Sequence, residues 1–426
     1  MGARAGIVVT GTEVLTGRIT DRNGPWLAEQ LRLQGVDIAE IIVVGDRPDD
    51  LGRALVHLAD IGVDLVVTTG GLGPTADDLT ADVVAQVQGR VVAVDESLAA
   101  RIGVIVERLM ARRGWRVDRE ATTIGVRKQA RVPAGATVLE PVGTAPGLVV
   151  PPAEGRDGPP VLVLPGPPPE LQGMWPAALA DPLVRAAMGP PTELRQRTLR
   201  LWNTPESEIA ATLRRIEGSL DGLEITTCLR GGELEVVTRY APADQAGYED
   251  LAATVSAVYG ERLFSADGDT VDELVAHALE RGGLSIATAE SCTAGLLAGR
   301  LTERAGSSAW VRGGLVVYSN EAKTSLAGVP ASLFAMVGAV SAEVALALAE
   351  GARDRLGADV GVGITGIAGP GGATPGKPVG LVHLCVRTSR DTLAHEVVLP
   401  GDRADVRARA VTLAMHMLRD ALDPGR

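Results

Sequence analysis

The sequence is poor in aromatic side chains and almost without lysine. Phe, Trp and Tyr together make up 3% of its 426 residues, too few to build the stacking platforms that hold single-stranded nucleic acid. Lysine occurs only at positions 128, 323 and 377 among 41 basic residues, and the net charge is −12. That acid balance argues against wrapping nucleic acid or lying on an anionic membrane, since both need clustered cations. Cys228, Cys292 and Cys385 are odd in number and far apart, so they offer neither a disulfide framework nor a CxxC metal pair. No window holds about 18 uninterrupted apolar residues. The apolar part of "MGARAGIVVTGTEVLTG" is too short for a secretory signal. The expected location is the cytoplasm.

What remains describes a soluble globular chain, 46% hydrophobic and 22% charged, long enough for two or three domains. Residues 1–170 alternate β-branched runs ("AGIVVTGTEV", "DIAEIIVVG", "VDLVVTTG") with helical patterns ("GPWLAEQLRLQG", "PDDLGRALVHLADIG"). Such alternation predicts an α/β sandwich on a parallel sheet. Residues 171–264 carry "RTLRLWN", "GLEITTCL", "ELEVVTRY" and "ERLFS" separated by helical patterns, a β-α-β-β-α-β order that resembles a small KH-like or ferredoxin-like α+β module. It lacks a GxxG loop flanked by basic residues, so a spacer or dimerisation role is preferred to RNA clamping. After the small polar stretch "SADGDT", residues 265–426 read as a second α/β sandwich, with mixed strand directions.

The stretch "TTGGLGPTADDLT" (68–80) joins a strand to a helical pattern. Gly70, Gly71 and Gly73 permit a tight turn with exposed N–H groups, Thr75 can cap the following helix, and a helix N-terminus favours an anion. Asp77 and Asp78 beside a bound phosphate would repel it unless a divalent cation lies between. The pattern therefore implies a phosphate-bearing ligand held through Mg²⁺ or a similar metal. The plainer reading is an aspartate-rich first turn of a helix.

Five motifs fall in order over the first segment: "GTEVLTGRITDRN" (11–23), "TTGGLGPTADDLT", "RKQA" (127–130), "TAPG" (144–147) and "LPGPPPEL" (164–171). Together they resemble the molybdopterin-binding-like domain of the CinA protein family. The resemblance implies a nucleotide-type ligand at the carboxyl ends of the strands and metal-dependent ADP-ribose pyrophosphatase activity. Glu13, Asp21, Asn23, Gly71, Asp77 and Asp78 would line that site, with Lys128 near the phosphates. "ATAESCTAG" (287–295), "AGSSAWVRGGLVVYSNEAK" (305–323), "GITGIAGPGG" (363–372) and "GKPVG" (376–380) resemble the CinA C-terminal domain, the nicotinamide-nucleotide amidohydrolase family. That resemblance implies conversion of nicotinamide mononucleotide and water to nicotinate mononucleotide and ammonia without a cofactor, and a homodimer. Ala294 departs from it, because the family often has a second glycine there; a methyl group would tighten the pocket.

Hydrolysing a carboxamide needs a nucleophile, a proton acceptor and donors for the oxyanion. His57, His277, His383, His395 and His416 belong to no motif and read as structural or surface residues. Cys292 reads as a small buried thiol at a helix start. In a chain that spends arginine on generic charge, a surviving lysine suits work arginine cannot do, such as losing a proton. "YSNEAK" sets Tyr318 at a strand end and Lys323 about one helical turn into the next element. Screened from water, or set near Arg312, that amine would have its pKa lowered and could take a serine proton. The resemblance points to Ser308 as nucleophile with Lys323 as its partner; Ser291, which opens a helix, is the alternative. Ser291, Tyr318 and Thr365 would orient or bind, and Glu290, Thr293, Gly295, Asn320, Gly366, Gly369 and Lys377 would line the substrate. Two other readings stay open: a non-catalytic nucleotide-binding accessory protein linked to DNA uptake or recombination through a protein partner, and an amidase whose first domain only senses a ligand.

Overall fold

Short apolar runs become the inner strands of the first sheet. A computed structural model describes residues 2–113, 118–190 and 194–423 and divides the chain into two units, Met1–Arg195 and Gln196–Arg426. The first contains β1 (Arg4–Thr10), β2 (Asp37–Val44), β3 (Leu65–Thr69), β4 (Val92–Val94), β5 (Arg131–Pro133), β6 (Thr137–Leu139), β7 (Gly147–Val150) and β8 (Val161–Leu164). Its main sheet has the order β2-β1-β3-β8-β7-β6. The pairs β1–β2, β1–β3 and β3–β8 are parallel, whereas β7 and β6 run antiparallel at the far edge. Buried on both faces, β1, β3 and β8 need no polar alternation. Ile7 and Val9 enter one core with Leu27, Leu31 and Trp175, while Val8 enters the other with Leu55, Leu58 and Val84, as the two-residue period of a strand requires.

Helix Pro168–Ala180 packs Leu171, Met174, Trp175 and Ala178 into the first of these cores. The chain therefore leaves this unit near residue 195 rather than at the border of 170 drawn from sequence. The apolar face of that helix has nowhere else to go once "LPGPPPEL" has turned the chain back over the sheet.

The second unit holds two sheets. β9 (Arg195–Trp202), β10 (Leu223–Arg230), β11 (Glu233–Tyr240) and β12 (Leu263–Ser265), with helices Glu206–Arg215 and Gln245–Tyr259, give the β-α-β-β-α-β order in a sheet arranged β10-β11-β9-β12. The hairpin β10–β11 pairs residue for residue and turns at Gly231 and Gly232, both with positive φ. The other sheet comprises β13 (Ile286–Glu290), β14 (Val311–Val316), β15 (Val360–Gly366), β16 (Leu381–Arg387) and β17 (Thr392–Val398), in the order β14-β13-β15-β16-β17. β14, β13 and β15 are parallel; β16 and β17 reverse.

Helices Val271–Gly282 and Arg403–Leu422 cover one face of this sheet and Ala342–Leu356 the other. The glycines of "VGVGITG" serve close approach rather than a turn. A Cβ on Gly361 or Gly363 would run into the carbonyl oxygens of Ala349 or Ala345 on the covering helix. Helix Arg403–Leu422 meets the four-stranded sheet at His416, whose ring stacks on Trp202 at 3.9 Å between centroids and whose Nε2–H donates to Glu233 Oε1 2.8 Å away.

Candidate functional site

In the first unit the chain passes from β1 to β2 on one side and returns to β3 on the other, so the strand order reverses between β1 and β3. Crevices at such a reversal, beyond the carboxyl ends of the strands, are where open α/β sheets bind ligands. A cleft of about 840 Å³ lies there, lined by Gly11, Glu13, Asp21, Asn23, Thr69, Gly70, Gly71, Gly73, Thr75, Asp77, Asp78, Gly166 and Glu170, among others. Asn23, largely buried, ties its walls together: Nδ2 donates to Thr69 Oγ1 (2.9 Å) and to Gly166 O (2.6 Å). Gly71 sits at φ 65°, and a Cβ there would strike Thr80 Oγ1, so only glycine fits.

The turn differs from a helix start. The helix runs Thr80–Gln88, and its N-cap Leu79 makes no side-chain cap, so Thr75 does not cap it and Asp77 and Asp78 precede it. Thr75 instead closes the loop on itself. Its N–H donates to Asp78 Oδ2 (2.9 Å) and its hydroxyl lies 2.5 Å from both Asp77 Oδ1 and Asp78 Oδ2. The hydroxyl holds the Asp77 carboxyl below its ordinary value, with a smaller contribution from Lys128. Asp21 Oδ1 accepts from the N–H groups of Asn23 (2.9 Å) and Gly24 (3.0 Å) at the next helix start. Lys128 lies behind the lining residues, near enough to act on Asp77, and its Nζ donates to the carbonyl of Thr75.

The cleft is strongly acidic. Glu13, Asp21, Asp46, Asp77, Asp78 and Glu170 face it against a single cation, Arg22. Glu170 was missed in the sequence, where it read only as part of a proline-rich turn. Burial pushes its carboxyl up, against a hydrogen bond from the Ala145 backbone. Among the described residues no group of three His, Cys, Asp or Glu side chains is placed to hold a metal ion. A cation at Asp77 and Asp78 would need ligand oxygens and water to complete its shell, which suits Mg²⁺.

The second group of residues gathers at the carboxyl end of β13. Ser291 N donates to Ile364 O (2.9 Å) and Val317 N to Glu290 O (2.8 Å), so Ser291, Thr365 and the segment leading to Tyr318 are neighbours. Lys323 follows on helix Asn320–Ala327. It is 2% exposed, and its Nζ donates to Tyr318 O at 3.2 Å. Burial lowers its pKa; the Glu321 carboxylate opposes the shift more weakly. The thiol of Cys292, also buried, is pushed up to about 11 by desolvation, which leaves it protonated and inert. Thr365 Oγ1 donates to Ala339 O (2.7 Å). Thr293 Oγ1 is buried with no hydrogen-bond partner among the described residues. Tyr318 presents a ring that is 61% exposed, and Asn320 is exposed beside it. Gly366 ends β15, where a Cβ would press on Leu381 O.

Several sequence-derived candidates do other work. Glu290 is not open to a ligand: its carboxylate takes the N–H groups of Gly295 (3.0 Å), Leu297 (3.1 Å) and Ala298 (2.8 Å) and the Thr288 hydroxyl (3.1 Å). It therefore caps helix Leu296–Thr302, a task Ser291 does not share. Lys377 donates to both Val337 O and Val340 O (2.6 Å each) and so clamps a loop. Ser308 is exposed in the turn before β14, beside the start of β13, whereas Lys323 follows the end of β14. The six residues of β14 span about 17 Å in five steps of roughly 3.3 Å, so Ser308 and Lys323 of one chain do not meet. Arg312 also lies at that far end, near Asp359, whose carboxyl is held below its ordinary value chiefly by the Ser285 hydroxyl and N–H and less by the Arg312 charge. The departure at 294 has a backbone signature: Ala294 adopts φ 51° ahead of Gly295 at φ 91°, conformations that favour glycine.

Two arginines went unnoticed in the sequence because "RADVRARA" reads as an ordinary helix. Arg403 donates Nη1 to Gly369 O (2.8 Å) and Nη2 to Tyr318 OH (3.1 Å). Arg407 donates Nε to Cys292 O (3.0 Å) and Nη2 to Thr293 O (3.1 Å). Of the histidines only His383 borders the site, as the buried register partner of Thr365. His57 pairs with Glu40 (3.0 Å), His277 sits near Arg304, and His383 and His395 belong to neighbouring register pairs of β16 and β17.

Comparison with known proteins agrees with the two-part layout. Residues 6–185 match the model of a probable molybdopterin binding domain and residues 268–422 that of the CinA C-terminal domain. A CinA-like protein of Mycolicibacterium gilvum is 57% identical over 429 residues, covering 100% of both chains. Another from Mycobacterium sp. (strain JLS) is 56% identical over the same span. A crystal structure of the competence/damage inducible protein CihA from Agrobacterium tumefaciens is 44% identical over 36% of this chain and 94% of its own, with a TM-score of 0.34. With likeness of that degree running from end to end of its relatives, the chain belongs to the CinA-like protein family.

Proposed function

We propose that the unit Gln196–Arg426 hydrolyses the carboxamide of nicotinamide mononucleotide, giving nicotinate mononucleotide and ammonia. The observation that carries the reading is Lys323, an amine sheltered from water and pushed toward its neutral form at the sheet end that also holds Ser291. A neutral amine can accept the Ser291 proton as the oxygen attacks the carboxamide carbon, then return it to the departing nitrogen. Ammonia leaves, and water cleaves the resulting ester by the same route in reverse. Ser291 replaces Ser308 as the favoured nucleophile because it shares the end of β13 with the amine. A coupled ammonia assay on the parent and on Lys323→Ala, Ser291→Ala and Ser308→Ala tests this. Loss of a catalytic proton acceptor typically costs 10²- to 10⁴-fold, so the first two variants are expected to fall by that order and Ser308→Ala to stay near the parent. A Lys323→Ala protein that releases ammonia at the parent rate ends the proposal.

The acidic cleft of the first unit supports a second reading, metal-dependent cleavage of ADP-ribose or a related pyrophosphate. Six carboxylates facing one arginine cannot receive a pyrophosphate unless cations offset the repulsion. Asp77 and Asp78 are the pair that would hold such a cation against the ligand, whose charge it would offset. Phosphate release from ADP-ribose with a coupling phosphatase, with and without Mg²⁺, checks this; ligand binding without release would favour a sensing domain. Absence of both reactions would favour the nucleotide-binding accessory protein.

A further inference from the structure

We infer that β10 is an interface between two copies of this chain, which pair antiparallel along it about a twofold axis through Thr227. The inference is independent of both reactions proposed above.

β10 (Leu223–Arg230) is an edge of the four-stranded sheet. It pairs with β11 at all eight residues without a bulge, and it contains no proline. Edge strands that stay single are commonly blunted by shortness, a bulge or proline. The opposite edge of the same sheet, β12, uses two of these devices: it is three residues long and shifts register between Leu263 and Ser265. β10 uses none of the three.

The turn decides which backbone groups face outward. Gly231 and Gly232 both have positive φ, as a two-residue type I′ hairpin requires, and closure of that turn bonds Arg230 to Glu233. Hydrogen-bonded and non-hydrogen-bonded pairs then alternate back along the ladder. Glu224, Thr226, Cys228 and Arg230 therefore direct their backbone groups at β11, and Ile225, Thr227 and Leu229 direct theirs away from the sheet. Leu223 obeys the alternation, because its N–H turns back to Leu220 O (3.0 Å).

Only outward groups can bond to an added strand. With the axis through Thr227, Ile225 lies opposite the partner's Leu229 as a hydrogen-bonded pair, and Thr227 meets its own copy. The same register sets Glu224 opposite the partner's Arg230 and Thr226 opposite the partner's Cys228. These are non-hydrogen-bonded pairs, whose side chains lie closer, and the twofold makes each of them twice. An axis through Thr226 or Cys228 sets neither charge against its opposite. Among the edge strands of the described residues, β10 alone carries both a carboxylate and a guanidinium. β2 has only acids, β5 and β14 only an arginine, β17 no arginine or lysine, and β4, β6 and β12 no charge.

The side chains leave room for this pairing. Glu224 is bound to Arg239 within the chain (2.8 Å) yet remains 45% exposed, and a carboxylate has acceptor sites for a second guanidinium. Arg230 is exposed. Leu229, 54% exposed, is covered on pairing by the partner's Ile225.

Sedimentation equilibrium of the full-length chain and a disulfide trap test the assignment. The parent is expected to show at least twice the mass of one chain, and Thr227→Pro to halve the parent's value. The Thr227 N–H faces outward, so proline there leaves the bonds to β11 in place. Arg230→Glu is a surface change that serves should the proline variant not fold. It sets carboxylate against carboxylate twice and is expected to raise the dissociation constant roughly tenfold or more. A parent of single-chain mass, a folded Thr227→Pro protein of the parent's mass, or an unchanged dissociation constant in Arg230→Glu overturns the inference. The trap reads the register. Thr226→Cys places a thiol opposite the partner's Cys228 within disulfide reach, while Cys292 and Cys385 are buried. Mild oxidation is expected to give a covalent dimer from Thr226→Cys and little from Thr226→Cys with Cys228→Ser, whose remaining thiols are diagonal neighbours about 7–8 Å apart. No covalent dimer from the first variant, or equal yield from both, overturns the pairing about Thr227.

Discussion

Replacing Lys323 with methionine is expected to abolish ammonia release and yet stabilise the unit Gln196–Arg426 at neutral pH. The amine is 2% exposed and makes one hydrogen bond, to Tyr318 O at 3.2 Å. Taking an ammonium out of water costs several kcal/mol even after relaxation, whereas one hydrogen bond returns about 1 kcal/mol. Methionine has a similar reach and no charge to desolvate, so the exchange should gain about 1–3 kcal/mol. For a unit of this size each kcal/mol moves the thermal midpoint by roughly 2–4 °C. The pH dependence supplies the sign. Because burial lowers the folded-state pKa below the ordinary 10.5, the penalty is full only below the folded-state value. It begins to lift as pH passes the folded-state value and is gone above 10.5. The stability gap between variant and parent should therefore close as pH rises toward 10.5. Thermal unfolding of both proteins from pH 7 upward, with a coupled ammonia assay alongside, measures both consequences. A methionine variant less stable than the parent, with a gap indifferent to pH, would show that the amine is a structural donor and refute the reasoning.

Glu290→Ala strips three helix N–H groups and the Thr288 hydroxyl of their acceptor. At about 1–3 kcal/mol per orphaned group it should cost at least 3 kcal/mol, read as a lower urea midpoint. Ala294→Gly relieves a left-handed residue at φ 51°, a gain of about 1–2 kcal/mol against roughly 0.5–1 kcal/mol of added chain entropy, so the same unfolding curve should shift up slightly. His416 gives an acid-side signal. Arg419 Nη1 lies 3.2 Å from Nδ1 and can only donate, so the ring is neutral and its Nε2–H donates to Glu233. Burial lowers the His416 pKa, so stability should fall once pH drops below about 6.5 and level off at the lower folded-state value; His416→Gln should remove that slope.

Much of the fold was legible because burial on both faces leaves a plain mark. The runs that became β1, β3 and β8 carry no polar alternation, and "VGVGITG" reads as a strand in spite of its glycines. The turn at Thr75 was harder, since threonine and aspartate are favoured alike at helix caps and in loops that bond to themselves. The sequence "PTADD" does not say which carboxylate will answer the Thr75 N–H. Ser308 illustrates a different limit. Only 15 residues separate it from Lys323 (308 to 323), but β14 lies between them, and the loops entering and leaving a strand sit at opposite ends of the sheet. Motif proximity along the chain was therefore a poor guide to proximity in space. Arg403 and Arg407 were hidden by number: 41 basic residues less three lysines leave 38 arginines, and the contacts of these two with Gly369, Tyr318, Cys292 and Thr293 bridge distant parts of the chain.

The scarcity of lysine has a more discriminating explanation than proton loss alone. All three lysines donate to backbone carbonyls: Lys128 to Thr75, Lys377 to Val337 and Val340, Lys323 to Tyr318. A compact ammonium with three tetrahedral donors fits the inside of a tight loop, where a planar guanidinium is too broad. Loop clamping is thus enough to account for lysine at 128 and 377, both of which remain partly open to solvent. It is not enough at 323. There the ammonium would use one of its three donors in a place that water scarcely enters, an arrangement that disfavours the charged form. Two lysines are kept for the shape of the ammonium, and the third sits where that shape is poorly used and burial eases loss of the proton, the direction a proton acceptor requires.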